Sequence, residues 1–203
     1  LHSKSANKRL EGEAEPKQFC ASVQEETGIA EMVVHPRFIS LAAGDFNGYI
    51  SGEGLREVVR MREQNDQTDS EGRELYSRYA KLIMGSQTNS VSTPLGHALE
   101  IVPAKHPAHL APSENLQVLV LFRGKPLADA QVAAVYAGAE LSGHTYPLVA
   151  RTDAEGHALL KISRPGWWYV RLIHMVPAED DPEVDWRSFF ATLTFEVPAA
   201  KQK

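Results

Sequence analysis

The histidines are the residues of this sequence that are best suited to bind a metal ion. Eight histidines occur among 203 residues, and neutral imidazole is a good ligand for nickel, cobalt, copper and zinc. His97, His106 and His109 lie closest together, and His106 and His109 flank Pro107 in a predicted loop. The spacing of His106 and His109 can chelate a metal ion. A loop does not hold two imidazoles in one geometry, so two solvated loop residues are the alternative interpretation.

His174 has a different setting, because it ends a run of β-prone residues and precedes an acidic stretch. An imidazole at a strand end beside carboxylates can bind a divalent cation, with a carboxylate orienting the ring. A hydrogen-bonded structural histidine near a solvated acidic loop is the alternative. The stretch lacks the glycine and the spacing of an EF-hand loop, so calcium is weakly supported. The candidate ligands for a divalent transition metal ion (nickel, cobalt, copper or zinc) are therefore His174, His106, His109 and Asp185.

Motifs for catalysis are missing from the sequence. It contains no G-x-S-x-G, no H-E-x-x-H and neither of the glycine-rich nucleotide-binding motifs. The single cysteine, Cys20, excludes an intramolecular disulfide and a multi-cysteine metal site, and we place it in a strand. Trp167 and Trp168 are adjacent, so in a strand they point to opposite faces and cannot form one flat sugar-binding platform. We predict a binding protein rather than an enzyme.

Charge and hydropathy narrow the class of partner. The formal net charge is -5, whereas proteins that bind nucleic acid usually carry a basic face. We therefore expect no nucleic-acid partner. No apolar run approaches the roughly 18 residues that a transmembrane helix needs.

The front part of the chain mixes short strands with two predicted helices. Residues 1–16 have no apolar period and predict a flexible leader. Residues 18–23 and 29–34 are β-prone and flank a polar turn that ends at Gly28, which indicates a hairpin. Residues 38–41 predict one more short strand after His35 and Pro36 interrupt the pattern.

The helices are predicted from apolar residues spaced three and four apart. Ser51 can cap the first helix, whose apolar stripe is Leu55, Val58 and Val59. Ser70 can cap the second, which ends at Gly85 and whose stripe is Leu75, Tyr79, Leu82 and Ile83. Residues 85–93 are polar and predict a linker.

After residue 95 the period changes to two. Seven strands are predicted over residues 98–102, 116–122, 130–136, 146–151, 157–162, 168–174 and 189–197. About seven short strands separated by glycine-containing and proline-containing turns are typical of an antiparallel sandwich.

Two segments of this second half resemble a known sandwich. Gly124-Lys125-Pro126-Leu127 leading to Ala130-Gln131-Val132, followed by Thr152-Asp153-Ala154-Glu155-Gly156, resembles the transthyretin-like and carboxypeptidase-regulatory-like domains. In this pattern Pro126 marks a strand entrance, and Gly156 supplies the positive φ that a tight turn needs.

Further segments extend the resemblance over about residues 17–197. They are Phe46-Asn47-Gly48-Tyr49-Ile50, Tyr76-Ser77-Arg78-Tyr79-Ala80-Lys81, Leu95-x4-Glu100-Ile101-Val102-Pro103, Gly166-Trp167-Trp168 and Asp185-Trp186-Arg187-Ser188-Phe189-Phe190. In this order they resemble a bacterial family of unknown molecular function that is described as the periplasmic component of cobalt or nickel ABC-type uptake systems. The resemblance implies a periplasmic or secreted location, a cobalt or nickel cargo, and a membrane permease or receptor as partner.

Taken together, these patterns predict a mainly β protein with an immunoglobulin-like or transthyretin-like antiparallel β-sandwich and a two-helix insertion. We expect a leader over 1–16, a partial sandwich with two helices over 17–92 and a complete sandwich over 93–203. The first functional hypothesis is an extracytoplasmic, non-catalytic accessory protein of transition-metal uptake. The alternative is a structural or protein-interaction module without a metal role, which docks on a membrane partner through an exposed sheet edge.

Overall fold

The computed structural model describes the backbone of residues 13–15 and 18–20, and both backbone and side chains of residues 28–86, 91–110, 114–140, 143 and 145–199. Strands make up about half of the described residues and helices a much smaller share. The predicted class, a mainly β sandwich with a two-helix insertion, is confirmed.

Twelve strands, two α-helices and one 3₁₀ turn make up the described chain. The strands are β1 (Glu13–Glu15), β2 (Gln18–Cys20), β3 (Gly28–Leu41), β4 (Gly72–Met84), β5 (Leu99–Pro103), β6 (Asn115–Phe122), β7 (Lys125–Pro126), β8 (Gln131–Tyr136), β9 (Leu148–Arg151), β10 (His157–Lys161), β11 (Gly166–Pro177) and β12 (Trp186–Val197). The helices are α1 (Ala43–Gly52) and α2 (Arg56–Gln64), and the 3₁₀ turn is Pro107–His109.

A six-stranded sheet forms the larger layer, with strand order β3-β4-β12-β11-β8-β9. Every neighbouring pair is antiparallel except β12 and β4, which run parallel from Trp186 beside Glu74 to Thr194 beside Leu82. The last strand of the chain therefore lies between strands from its first and second halves.

The smaller layer has the order β10-β6-β5, with the short β7 paired to β6. Its buried side chains, including Leu116, Val118 and Leu160, pack against inward residues of the larger sheet such as Val170 and Leu193. Alternation along each strand produces this core, because every second residue faces the opposite sheet.

The helices cover part of the outer face of the larger sheet. Phe46, Ile50, Leu55 and Val58 form a second core with three residues of β11 and β12, namely Ile173, Met175 and Trp186. Gly54 separates α1 from α2 with a φ of 68°, a left-handed conformation that glycine adopts without strain.

The positions of the two helices differ from the prediction. Both lie before residue 65, and the segment predicted as the second helix is the strand β4. The spacing of Leu75, Tyr79, Leu82 and Ile83 fits a helix, but the buried positions of β4 include the polar residues Glu74, Ser77 and Lys81. Hydrogen bonding to β3 and β12 on both sides outweighs the local helical pattern, since tertiary context overrides propensity.

The pairing of the first strands also differs. Among the described residues β2 pairs with β1, and the strand from Gly28 to Leu41 is continuous and pairs with β4. Residues 21–27, which include the turn of the predicted hairpin, lie outside the described residues. Pro36 does not end this strand, because it lies at a bulge between Val34 and Arg37 on an edge strand, where a missing N–H is tolerated. The predicted leader lies outside the described residues except Glu13–Glu15, which form β1.

All seven strands predicted after residue 95 are present. Trp168 is buried and Trp167 is exposed, so the adjacent rings point to opposite faces as predicted. Gly156 has a φ of 80°, which confirms the predicted turn. Part of the predicted linker, residues 87–90, lies outside the described residues.

No α-helix among the described residues is long and apolar enough to cross a membrane.

Candidate functional site

His106 and His109 lie together at the 3₁₀ turn between β5 and β6. Their ring centroids are 5.1 Å apart and the rings are tilted by 38°. Pro107 begins the turn, and the backbone N–H of Ala108 donates to Nδ1 of His106 at 3.1 Å. His106 is buried and His109 is exposed. The predicted proximity of these two imidazoles is therefore present.

The protonation of His106 follows from these contacts. Burial and the neighbouring His109 lower the pKa of His106 below its ordinary value, so the ring is neutral at neutral pH. Because Nδ1 accepts from Ala108, the single proton of the neutral ring lies on Nε2. That Nε2 is buried and has no hydrogen-bond partner among the described residues. A metal ion at Nε2 would have to displace the proton and break the bond to Ala108.

His174 lies on the inner face of β11. Its ring meets Phe122 edge to face, with centroids 4.4 Å apart. Burial and, to a smaller extent, the charge of Arg123 together lower the pKa of His174 to about 4. The imidazole is thus neutral at pH 7, but it shares its surroundings with an aromatic ring and a fixed positive charge.

The Asp185 carboxylate forms an ion pair with Arg73. Its carboxylate accepts from the backbone N–H of Arg73 at 2.8 Å and from the guanidinium Nη2 at 2.7 Å. Burial would raise the pKa of Asp185, but the hydrogen bonds from Arg73 hold it below its usual value. This ion pair joins the loop before β12 to the start of β4.

The four predicted ligands therefore fall into one pair and two separate residues. His106 contacts His109, His174 contacts Phe122, and Asp185 binds Arg73. Over the described residues, no three His, Cys, Asp or Glu side chains are grouped so that they could hold a metal ion. The four-residue metal site remains a prediction.

A buried ion pair that the sequence analysis missed links the two sheets. Lys81 Nζ donates to Glu100 Oε1 at 2.9 Å, and their side chains are 4% and 1% exposed. Burial lowers the pKa of Lys81 despite this partner. Burial would raise the pKa of Glu100, but the N–H groups of Leu95 and Gly96 and the Lys81 ammonium bring it below its usual value. Lys81 lies in a segment predicted as a helix and Glu100 in a predicted strand, and neither pattern indicates that their side chains meet.

His97 and Glu31 extend this ionic cluster toward the surface. His97 Nε2 lies 2.9 Å from Glu31 Oε2, and its ring is 5.3 Å from that of Tyr79. Glu31 lies directly opposite Lys81 in the β3–β4 ladder. The cluster ties the segment before β5 to the larger sheet.

A second polar cluster lies where α1 ends on the outer face of the larger sheet. Buried Glu53 accepts a hydrogen bond from the Tyr146 hydroxyl at 2.9 Å and from Arg171 Nη1 at 3.0 Å. The Arg171 guanidinium lies 5.1 Å from the centre of the Tyr146 ring. These contacts join α1 to β11 and to the residues before β9.

Glu74 is the other buried carboxylate beneath α1. It accepts a hydrogen bond from the Ser188 hydroxyl, and burial raises its pKa. Burial and the charge of Glu74 also raise the pKa of Tyr49. Glu74 and Ser188 come from the parallel strands β4 and β12, so no local pattern could have paired them.

A pocket of about 560 Å³ opens near the end of β8. Its lining is Tyr136, Gly138, Glu140, Thr145, Tyr146 and Pro147. The size is within the range of small-molecule sites, but four of these six residues are exposed, so the pocket is shallow. The lining offers two tyrosines and one carboxylate, Glu140.

Comparison with known proteins identifies the family. No curated protein and no solved structure matches the chain. The profile of the domain of unknown function DUF4198 matches residues 3–176, which is well over half of the sequence. The matched range ends within β11 and includes both helices and both histidines of the 3₁₀ turn. The chain therefore belongs to the DUF4198 family of domains of unknown function.

Proposed function

We propose that this chain is a non-catalytic, extracytoplasmic accessory protein of transition-metal uptake, with cobalt or nickel as cargo and a membrane permease or receptor as partner. The paired imidazoles of His106 and His109 carry the proposal, because they lie 5.1 Å apart between centroids. Neutral imidazoles are suitable ligands for these ions. The resemblance of several sequence segments to a periplasmic uptake component supports the cargo and the location.

The contacts of His106 set the strength of such a site. Exposed His109 is accessible to an incoming ion. His106 has to give up the hydrogen bond from Ala108, either because the ion binds Nδ1 or because the proton moves from Nε2 to Nδ1. Replacing a hydrogen bond of this kind costs about 1 kcal/mol. Two nitrogen ligands, one of which carries this cost, make a weak site, which suits capture followed by transfer to a partner.

Isothermal titration calorimetry with nickel, cobalt, copper and zinc at neutral pH tests the proposal. We expect at least one ion to bind more tightly than about 1 mM, and we expect His106→Ala and His109→Ala each to abolish this binding. His157→Ala is the control, because His157 lies on β10 and not in the 3₁₀ turn, and this variant should bind as the unchanged protein does. Affinities no tighter than millimolar for all four ions would contradict metal capture. So would alanine variants that bind an ion as tightly as the unchanged protein does.

A further inference from the structure

The outer edge of the larger sheet is formed by β3, a strand of 14 residues. Within the part of the chain that the structure describes, β4 is the strand that pairs with it, and no strand is paired with its other edge. Four large apolar side chains of this strand are exposed: Met32 by 49%, Val33 by 45%, Phe38 by 56% and Ile39 by 38%. A long apolar edge of this kind is a template for pairing with another strand.

The bulge in β3 decides which of these side chains share a face. Before the bulge Met32 lies opposite Ala80 and Val33 opposite Tyr79; after it Phe38 lies opposite Leu75 and Ile39 opposite Glu74. Opposed residues point to the same face of a sheet, and residues an even number apart along β4 share a face. Met32 and Ile39 therefore lie on the helix-bearing face, and Val33 and Phe38 lie on the inner face.

This arrangement makes the edge complementary to itself. When two copies of β3 pair antiparallel around a two-fold axis, the register that sets Val33 opposite the second copy's Phe38 also sets Met32 opposite the second copy's Ile39. The symmetry repeats both pairs, so all four exposed apolar residues of each copy find an apolar neighbour on the correct face. A shift by two residues instead sets Met32 opposite Arg37 or Leu41.

Charge and backbone are compatible with the same register. Glu31 comes opposite the second copy's Ser40, and Arg37 comes opposite the second copy's Val34, so no charged residue faces another of like charge. Pro36 comes opposite the second copy's His35, where the two bulges meet. The ladder is already interrupted at a bulge, so the missing N–H of Pro36 removes no regular hydrogen bond.

We propose that this chain forms a symmetric homodimer in which β3 pairs with β3 of a second copy, joining two six-stranded sheets into one. The interface includes neither His106 nor His109, so the dimer can be tested independently of metal capture. In this dimer the β3 edge of the larger sheet is closed by the protein itself rather than by a membrane partner.

Sedimentation equilibrium of the full chain and of charge variants tests the dimer and its register. We expect Val33→Lys and Phe38→Glu each to raise the dimer dissociation constant at least about tenfold, because symmetry disrupts each pair twice. The double variant V33K/F38E should restore the constant to within about threefold, since each introduced lysine then faces an introduced glutamate. The double variant V33K/F38K, with like charges opposed, should remain monomeric.

Val149→Lys is the matched control, because Val149 is 46% exposed on β9, at the opposite edge of the same sheet. It should leave the dimer unchanged, and circular dichroism of every variant checks that the fold is intact. A monomeric unchanged protein at about 1 mM, no recovery by V33K/F38E, or equal disruption by Val149→Lys would each overturn the proposal.

Discussion

The protonation state of the His174 imidazole is determined by its surroundings in the fold. The sequence places it at a strand end before an acidic loop, and the structure turns its ring inward against Phe122. The acidic loop has other partners: Asp180 binds Arg187 and Asp185 binds Arg73. Burial then makes the neutral imidazole the stable form.

The pKa of His174 makes the stability of the protein depend on pH. The unfolded chain has a histidine pKa of 6.5, and the folded value is about 4. Between these values the unfolded state binds a proton that the folded state does not, so the free energy of unfolding falls as pH falls from 6.5 to about 4. We expect this residue to account for a loss of about 2–3 kcal/mol.

Urea unfolding of the unchanged protein and of His174→Gln, at about pH 7 and about pH 4.5, measures this contribution. The glutamine has no proton to gain in that range, so the variant should lose less stability on acidification by most of the stated amount. Equal losses in the two proteins would show that His174 does not titrate in this way.

At the scale of elements, a glycine of β4 and a glycine of α1 have opposite requirements. A Cβ at Gly72, the first residue of β4, would overlap the buried ring of Phe46, whereas a Cβ at Gly48 within α1 would meet nothing within 4 Å. The first glycine permits a close approach of α1 to the sheet, and the second only loosens the helix.

We therefore expect Gly72→Ala to destabilise the protein by about 1–3 kcal/mol through overpacking. We expect Gly48→Ala to stabilise it by about 0.5–1 kcal/mol through helix propensity. Thermal unfolding of both variants checks the pair, and a loss of stability in Gly48→Ala comparable to that in Gly72→Ala would contradict the packing explanation.

The elements also show how far the sequence alone could predict the fold. The strands after residue 95 follow from alternation and from turn residues such as Gly156, which act locally. β4 could not be recognised in this way, because its identity depends on pairing with β12, where Phe190 lies opposite Arg78. Lys81 and Glu100 likewise meet across two sheets, so neither their residue types nor their spacing in the sequence predicts the ion pair.

At the scale of the whole molecule, the larger sheet is shared between the two halves of the chain. β3 and β4 come from the part before the predicted boundary at residues 92 and 93, and β8, β9, β11 and β12 come from the part after it. The division into two domains remains a prediction, and the shared sheet gives a direct way to test it.

A fragment of residues 93–203 should be far less stable than the full chain. Without β4 the strand β12 loses a neighbour, and without the helices Ile173, Met175 and Trp186 lose their apolar cover. We expect poor dispersion in the amide spectrum of the fragment and no cooperative thermal transition. A cooperative transition close to that of the full chain would instead support a complete second sandwich.

The central position of β12 also determines when the sheet can be completed during biosynthesis. β12 is inserted between β4 and β11, although both of those strands leave the ribosome earlier. Until residue 197 has been made, β4 and β11 have no common neighbour and the larger layer stays in two pieces. The ladders that β12 forms with β4 and with β11 are therefore the last of the larger sheet to form.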